Sequence, residues 1–237
     1  MTSVGVTGAS GHLGSMLVPF LLERGYTVTP IGRTMPHDLD VDVVMHLAAP
    51  NWRDDAAMDD FYRFHEQVVR WREVSGGRVI QTGSWWQYAG DGHTPELYYS
   101  RIKGIQERVF DVSLVPFSIY GTSVRAGRGF IPHLVAAVRA GRASMEASRQ
   151  LRDWIHARDV CEALRACLSA PDGIYEARTG IQYSPAELAR TVGMPTTEHV
   201  DDPPCSPVYR HDLPPGFVPR VDVLTHIRLS LSKGAAA

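Results

Sequence analysis

Tyr99 and Lys103 stand four residues apart in Tyr99-Ser100-Arg101-Ile102-Lys103, inside a stretch whose apolar spacing predicts a helix over Leu97–Phe110. At that spacing both side chains share one helix face. A free tyrosine ionises near pH ~10, too high for a base at neutral pH. An ammonium one turn away favours the phenolate, and the pair then suits moving a proton on and off a hydroxyl. Ser84, just beyond the strand predicted over Arg78–Thr82, can hydrogen-bond the same oxygen as it becomes a carbonyl. The alternative is a core tyrosine beside a surface lysine. Against it, Lys103 and Lys233 are the only lysines among the 24 Lys and Arg residues. A lysine at this spacing is therefore informative.

Such chemistry needs a hydride carrier, and the N-terminus offers a place for one. Thr7-Gly8-Ala9-Ser10-Gly11-His12-Leu13-Gly14 lies between a predicted strand, Val4–Thr7, and a predicted helix, His12–Arg24. Gly8 allows a tight turn, Gly11 lets backbone approach a pyrophosphate, and Gly14 lets helix pack on strand. Ser10, His12 and Leu13 then fall where the helix N-terminus points its free N–H groups at phosphates. The alternative is a Gly-rich surface turn. An oxidised nicotinamide held there would add a second positive charge beside Tyr99. The strand predicted over Tyr26–Ile31 ends Ile31-Gly32-Arg33, without the acid that would bind the ribose hydroxyls of NAD. The Arg33 guanidinium can pair with a 2′-phosphate and stack on adenine, so NADP is favoured and NAD stays open. A solvated Arg33 is the other reading.

The elements around these residues alternate. Val41–Leu47 reads as a third strand, too apolar for a sheet with a wet face, and Asp54–Val74 as a long polar helix. Ser113–Pro116 reads as a strand and Phe130–Ala140 as a helix. The pattern predicts an α/β fold: a doubly wound parallel sheet (Rossmann) with a small C-terminal substrate lobe. Residues 1–121 read as the dinucleotide-binding core. Residues 122–237 supply remaining core elements and the smaller lobe, in a single compact unit. Within them helices are expected over Ala157–Leu168, Pro185–Val192 and Val221–Leu231, with irregular segments between.

Composition excludes other classes. With 44% hydrophobic and 21% charged among 237 residues, global disorder is ruled out. A net charge of -2 implies no nucleic-acid partner. No apolar run approaches the roughly 18–20 residues of a membrane span, and the N-terminus lacks a secretory pattern. Cys161, Cys167 and Cys205 fit no metal spacing and no disulfide framework. The expectation is a cytoplasmic, metal-free protein acting on a small molecule, with room for a homodimer.

Taken in order, these motifs resemble the extended short-chain dehydrogenase/reductases, and within them the NAD-dependent epimerase/dehydratase family that acts on nucleotide sugars. The glycine turn is followed by His46-Leu47-Ala48-Ala49, Ser84, Tyr99-x-x-x-Lys103 and Pro116-Phe117-Ser118-Ile119-Tyr120-Gly121. Arg152-Asp153-Trp154-Ile155-His156-Ala157-Arg158-Asp159-Val160 is similar to the family's Arg-Asp-Phe-x-His-Val-x-Asp-Val stretch, and Gly216-Phe217-Val218-Pro219-Arg220 to its Gly-x-x-Pro segment. The resemblance implies Ser84, Tyr99 and Lys103 as catalytic residues. It implies that Leu47, Ala48, Ala49, Pro116, Tyr99 and Lys103 touch the cofactor, and that Arg152 contacts a nucleotide diphosphate, for which a guanidinium fork is suited.

The departures narrow the chemistry. The stretch between Arg33 and Val41 is too short for the family's helix and strand, so one sheet edge should be trimmed and the adenine side more open. Where 4,6-dehydratases carry an Asp-Glu pair after the catalytic hydroxyl, this chain has Trp85 and Trp86. Those cannot exchange protons. They form either an apolar wall against the substrate or ordinary packing. No cysteine lies near, as two-step epimerase-reductases require. Val115 and Ser118 replace the family's arginine and asparagine, leaving the substrate class open. What remains is hydride transfer at one carbinol or keto carbon, with 4-keto reduction of a nucleotide sugar favoured. A 4-epimerase, a reductase of a non-sugar ketone and a non-catalytic dinucleotide sensor are the alternatives.

Overall fold

A computed structural model describes residues 2–49, 55–85, 109–121, 129–198 and 207–232. The first half holds β1 (Ser3–Thr7), α1 (Gly14–Leu22), β2 (Thr27–Ile31), β3 (Val43–His46), α2 (Asp55–Ser75), β4 (Arg78–Thr82) and β5 (Val112–Pro116). The second half holds β6 (Ser118–Tyr120), α3 (Phe130–Arg139), β7 (Met145–Ala147), β8 (Arg152–His156), α4 (Ala157–Cys167) and β9 (Gly173–Ala177). It continues with β10 (Gln182–Tyr183), α5 (Pro185–Thr191), β11 (Thr196–Glu198) and α6 (Val223–Ser232). Most of the helix predicted over Leu97–Phe110, with Tyr99 and Lys103 in it, lies outside the described residues, as do Trp86 and Cys205.

Val4 and Val6 of β1, Val43 and Met45 of β3, and Val112 and Leu114 of β5 point to one face of a parallel sheet. There they pack on Leu17, Phe20 and Leu21 of α1 and Val160, Cys161 and Leu164 of α4. The intervening Val44 and Val79 point the other way, against Phe64, Val68 and Trp71 of α2. Two covered faces explain why the strands read as continuous apolar runs. The strand order is β2-β1-β3-β4-β5-β9, every neighbouring pair parallel. From β1 the chain winds first to β2 and then reverses through β3, so the switch point falls between β1 and β3. Ligands of open α/β sheets bind at that point. β2 is an edge, and residues 32–42 make turns and bends with no further helix or strand, as the short crossover implied.

The second half also holds short strands that the sequence pattern did not mark, three of them in the segments expected to be irregular. β8 joins β6 in parallel and β10 in antiparallel order, β11 pairs with β7, and β9 completes the central sheet beside β5. Buried carboxylates disguised them. Asp153 in β8 is fully buried and accepts from Thr179 N (2.8 Å), Thr179 Oγ1 (2.9 Å), Gly180 N (2.7 Å) and the Tyr209 hydroxyl (2.8 Å). Glu176 in β9 is equally buried; it pairs with Arg178 at 2.7 Å and accepts from Arg210 N and His211 N. Charges so satisfied belong to an interior, yet in sequence they break the apolar run. A second core, with Leu134 of α3, Leu188 of α5 and Ile227 of α6, packs on Tyr120 and Trp154. No helix among the described residues is long and apolar enough to cross a membrane.

Candidate active site

β1 ends at the glycine turn. Gly8 adopts φ 65°, and a Cβ there would lie 2.9 Å from Ala48 N. Gly11 N donates to Gly8 O at 2.8 Å, closing the turn. At Gly14 a Cβ would stand 2.2 Å from Gly8 O, so α1 can approach the turn only through glycine. The first turn of α1 has no side-chain cap and no acidic residue. Its leading N–H groups suit an anion. The residues present therefore fit a dinucleotide's pyrophosphate.

Thr7 and His46, not singled out as functional from the sequence, fasten this turn to its neighbour. The Thr7 hydroxyl accepts from Leu47 N (3.1 Å) and Ala48 N (3.2 Å) and lies 2.8 Å from His46 Nδ1. With both lone pairs engaged, its single proton goes to that nitrogen. His46 is buried among Phe61, Phe64, His65 and Phe110. Leu47 and Ala48 thus give their N–H groups to Thr7, and their backbone borders the turn at Gly8. The clue in the sequence was a lone polar residue, His46, ending an apolar strand. Ser10 and Ala49 are exposed, and Arg33 is exposed just beyond the edge strand β2.

Beyond the carboxyl ends of the strands lies a cleft of about 270 Å³. It gathers His12 from the turn, Ser84 and Trp85 after β4, Ser118 from β6 and Arg152 from β8. Pro116 closes β5 nearby and is buried. These residues are far apart in the chain, and the switch-point topology brings them together. Trp85 is buried and lies parallel to Phe117, ring centres 6.2 Å apart at 2°. Tyr209 meets Phe117 edge-on at 5.4 Å, and its hydroxyl bonds Asp153. Trp85 therefore both packs and lines the cleft.

Most of the Arg152–Val160 stretch is structural. Trp154 Nε1 donates to Tyr183 O at 2.8 Å. His156 caps α4 by accepting from Arg158 N at 3.1 Å. Its ring fills the space a Cβ on Gly121 would need and meets Tyr120 and His226. Burial first, then the neighbouring His226, pushes His156 down to about 4, so at neutral pH it is an uncharged cap. Asp159 accepts from Arg220 N (3.0 Å) and Val221 N (2.9 Å), tying the Gly-x-x-Pro segment to α4. Arg152 and Trp154 alone in this stretch line the cleft. Cys161 and Cys167 are buried in α4, their thiols pushed up to about 12 by burial.

A parallel sheet with a glycine turn at its switch point defines the class as a Rossmann-like α/β fold. Residues 103–179 match the model of the NAD dependent epimerase/dehydratase family. A CDP-abequose synthase of Yersinia pseudotuberculosis is 23% identical over 223 residues, covering 77% of this chain and 78% of that protein. The structure of MoeE5 in complex with UDP-glucuronic acid and NAD is 21% identical, covers 99% of both chains and superposes with a TM-score of 0.74. That of Helicobacter pylori ADP-L-glycero-D-manno-heptose-6-epimerase is 16% identical, covers 100% of this chain and 97% of its own, and gives 0.78. The chain is thus similar to epimerase/dehydratase-family enzymes in part of its sequence and in its fold as a whole.

Proposed function

We propose that this chain is an NAD(P)-dependent oxidoreductase that reduces a keto group, the 4-keto group by preference, of a nucleotide-activated sugar. The observation that carries the reading is the cleft joining Ser84, Ser118 and Arg152 to the glycine turn through His12. The similar MoeE5 binds UDP-glucuronic acid and NAD, and another relative is a CDP-abequose synthase, which supports a nucleotide sugar.

When bound, the nicotinamide supplies or accepts a hydride at the substrate carbon. Tyr99 gives its phenolic proton to the substrate oxygen as that carbon is reduced. Ser84 donates a hydrogen bond to the same oxygen, holding it in line. Lys103 lowers the cost of the phenolate that remains and holds the nicotinamide ribose. Arg152 takes the diphosphate with two guanidinium N–H groups. The Trp85–Phe117 pair backs the sugar and excludes water.

Two local features favour NADP and reduction. Arg33 is exposed beyond the strand β2, and residues 32–42 after it form no helix or strand. A guanidinium there can meet a 2′-phosphate, and an open adenine side allows exchange at every turnover. Arg33→Ala should weaken NADP about 10- to 100-fold and NAD little. Isothermal titration with both nucleotides checks this, and equal affinity of the unmutated protein for the two would sink the assignment.

The redox-neutral epimerase is the second reading, favoured by the epimerase among the structural neighbours. An epimerase returns the hydride it removes and gains by retaining its cofactor. Purification without added nucleotide, then ultraviolet spectroscopy and mass spectrometry of any released cofactor, should find little bound nucleotide, with net NADPH consumption on a keto substrate. Stoichiometric bound NAD, with epimer formation and no NADPH consumed, would overturn the reductase.

A further inference from the structure

Trp85 and Phe117 wall the cleft, and each is joined in the chain to a polar residue that lines it: Trp85 follows Ser84, and Phe117 precedes Ser118. With Val115 the two rings form a small apolar cluster, backed by Ile174 and Tyr209. Tyr209 meets Phe117 edge-on, ring centres 5.4 Å apart at 67°. It is itself firmly anchored. Its hydroxyl donates to the buried Asp153 at 2.8 Å and accepts from Gln182 Nε2 at 3.1 Å. The Arg178 guanidinium lies over its ring at 4.2 Å and pairs in turn with the buried Glu176. Glu176 also accepts from the backbone N–H groups of Arg210 and His211, which fixes the chain just after Tyr209. Burial, chiefly, pushes the Tyr209 phenol up to about 12, so its hydroxyl stays a donor at neutral pH.

We propose that Tyr209 is a positioning residue for the sugar: its ring, anchored through Asp153, holds the Trp85–Phe117 wall in place from behind. The proposal rests on reading the cleft as a nucleotide-sugar site. Trp85 and Phe117 line the cleft, and Tyr209 stands one ring further back, against Phe117. Edge-to-face rings attract beyond what their buried area gives. With its far end fixed, Tyr209 lets Phe117, and Trp85 stacked on it, keep one orientation. A flat apolar wall suits the face of a sugar ring, whereas the diphosphate goes to the Arg152 fork. The wall therefore contributes to binding of the sugar and not of the nucleoside diphosphate. Asp153, which serves the fold through Thr179 and Gly180, serves the cleft through Tyr209.

The test is calorimetric titration of the full chain with UDP-glucose, CDP-glucose, UDP and CDP separately. It is run on wild type, Tyr209→Phe, Tyr209→Leu and Tyr209→Met. Every variant loses the hydroxyl, so comparison among them isolates the ring. The ratio of affinities between a nucleotide sugar and its nucleoside diphosphate should fall about 3- to 10-fold in Tyr209→Leu and Tyr209→Met, the scale of one aromatic pair. Tyr209→Phe, which keeps the ring, should retain the wild-type ratio, and affinity for UDP and CDP should be unchanged throughout. A merely structural role would weaken nucleotide sugar and diphosphate alike. An unchanged ratio, or an equal loss of both, in a folded ringless variant would overturn the proposal and leave the reading of the cleft standing. Unfolding of both ringless variants would make the ring a packing residue and overturn it as well. Failure of wild type to bind any of these nucleotides would overturn the reading of the cleft, and this proposal with it.

Discussion

Tyr99→Phe should lower kcat by about 100- to 10,000-fold, the range that a positioned acid or base contributes. Cofactor affinity should stay within about twofold, since an interaction without the phenolic oxygen is left in place. Only that oxygen is lost in the substitution. Lys103→Ala should damage turnover and cofactor affinity together, because in the proposed mechanism one ammonium would both favour the phenolate and hold the ribose. The split between the two variants is the informative result. Steady-state kinetics on a keto nucleotide sugar, with cofactor affinity from fluorescence titration, measures both. Near-normal turnover by Tyr99→Phe would remove the proposed mechanism and leave the dinucleotide sensor as the better account.

Gly14→Ala should have the second large effect, through a single methyl group. The added carbon would lie 2.2 Å from Gly8 O, 2.7 Å from Ala9 Cα and 2.9 Å from Ala9 C. All three are backbone atoms, so no side chain can swing away. Either α1 moves off the turn or the turn opens, and each displaces the N–H groups facing the phosphates. Overpacking of this kind costs about 1–3 kcal/mol, which in a chain of this size lowers Tm by roughly 2–10 °C. Cofactor affinity should fall at least about tenfold, because the pyrophosphate contacts depend on the geometry of the turn. Calorimetry and thermal melts with and without nucleotide read the two effects separately. Unchanged affinity in a folded Gly14→Ala would show that the pyrophosphate does not use this turn. The same substitution at Gly25 gives a contrast: a Cβ there meets nothing within 4 Å, so the strain is confined to its φ of 82°.

The glycine turn was legible because its chemistry is local: Gly8, Gly11 and Gly14 have their meaning within one turn. The four-residue spacing of Tyr99 and Lys103 is local too, and their role belongs to the proposed function. The double tryptophan was ambiguous for the opposite reason. Whether Trp85 walls a cleft or fills a core depends on Phe117 and Tyr209, and neither is near it in the chain. The second-half strands were missed because two- or three-residue strands carry no period. In the longer ones, Asp153 and Glu176 replace apolar side chains with carboxylates whose partners lie elsewhere.

By itself, then, the chain's residue order determined the parallel sheet and the tight glycine turn, and it suggests the Ser84, Tyr99 and Lys103 set on which the proposed function rests. Sheet and turn depend on periodicity and on glycine's freedom, properties of short segments. Only the tertiary structure decided that His12, Ser84, Ser118 and Arg152 border one cleft and that Thr7 locks the turn to His46. Only it showed that Asp153, His156 and Asp159, strung along one motif with Arg152, hold loops and a helix rather than the cleft. A buried carboxylate or imidazole is defined by the donors that reach it across the fold, and burial itself is a property of the packed chain.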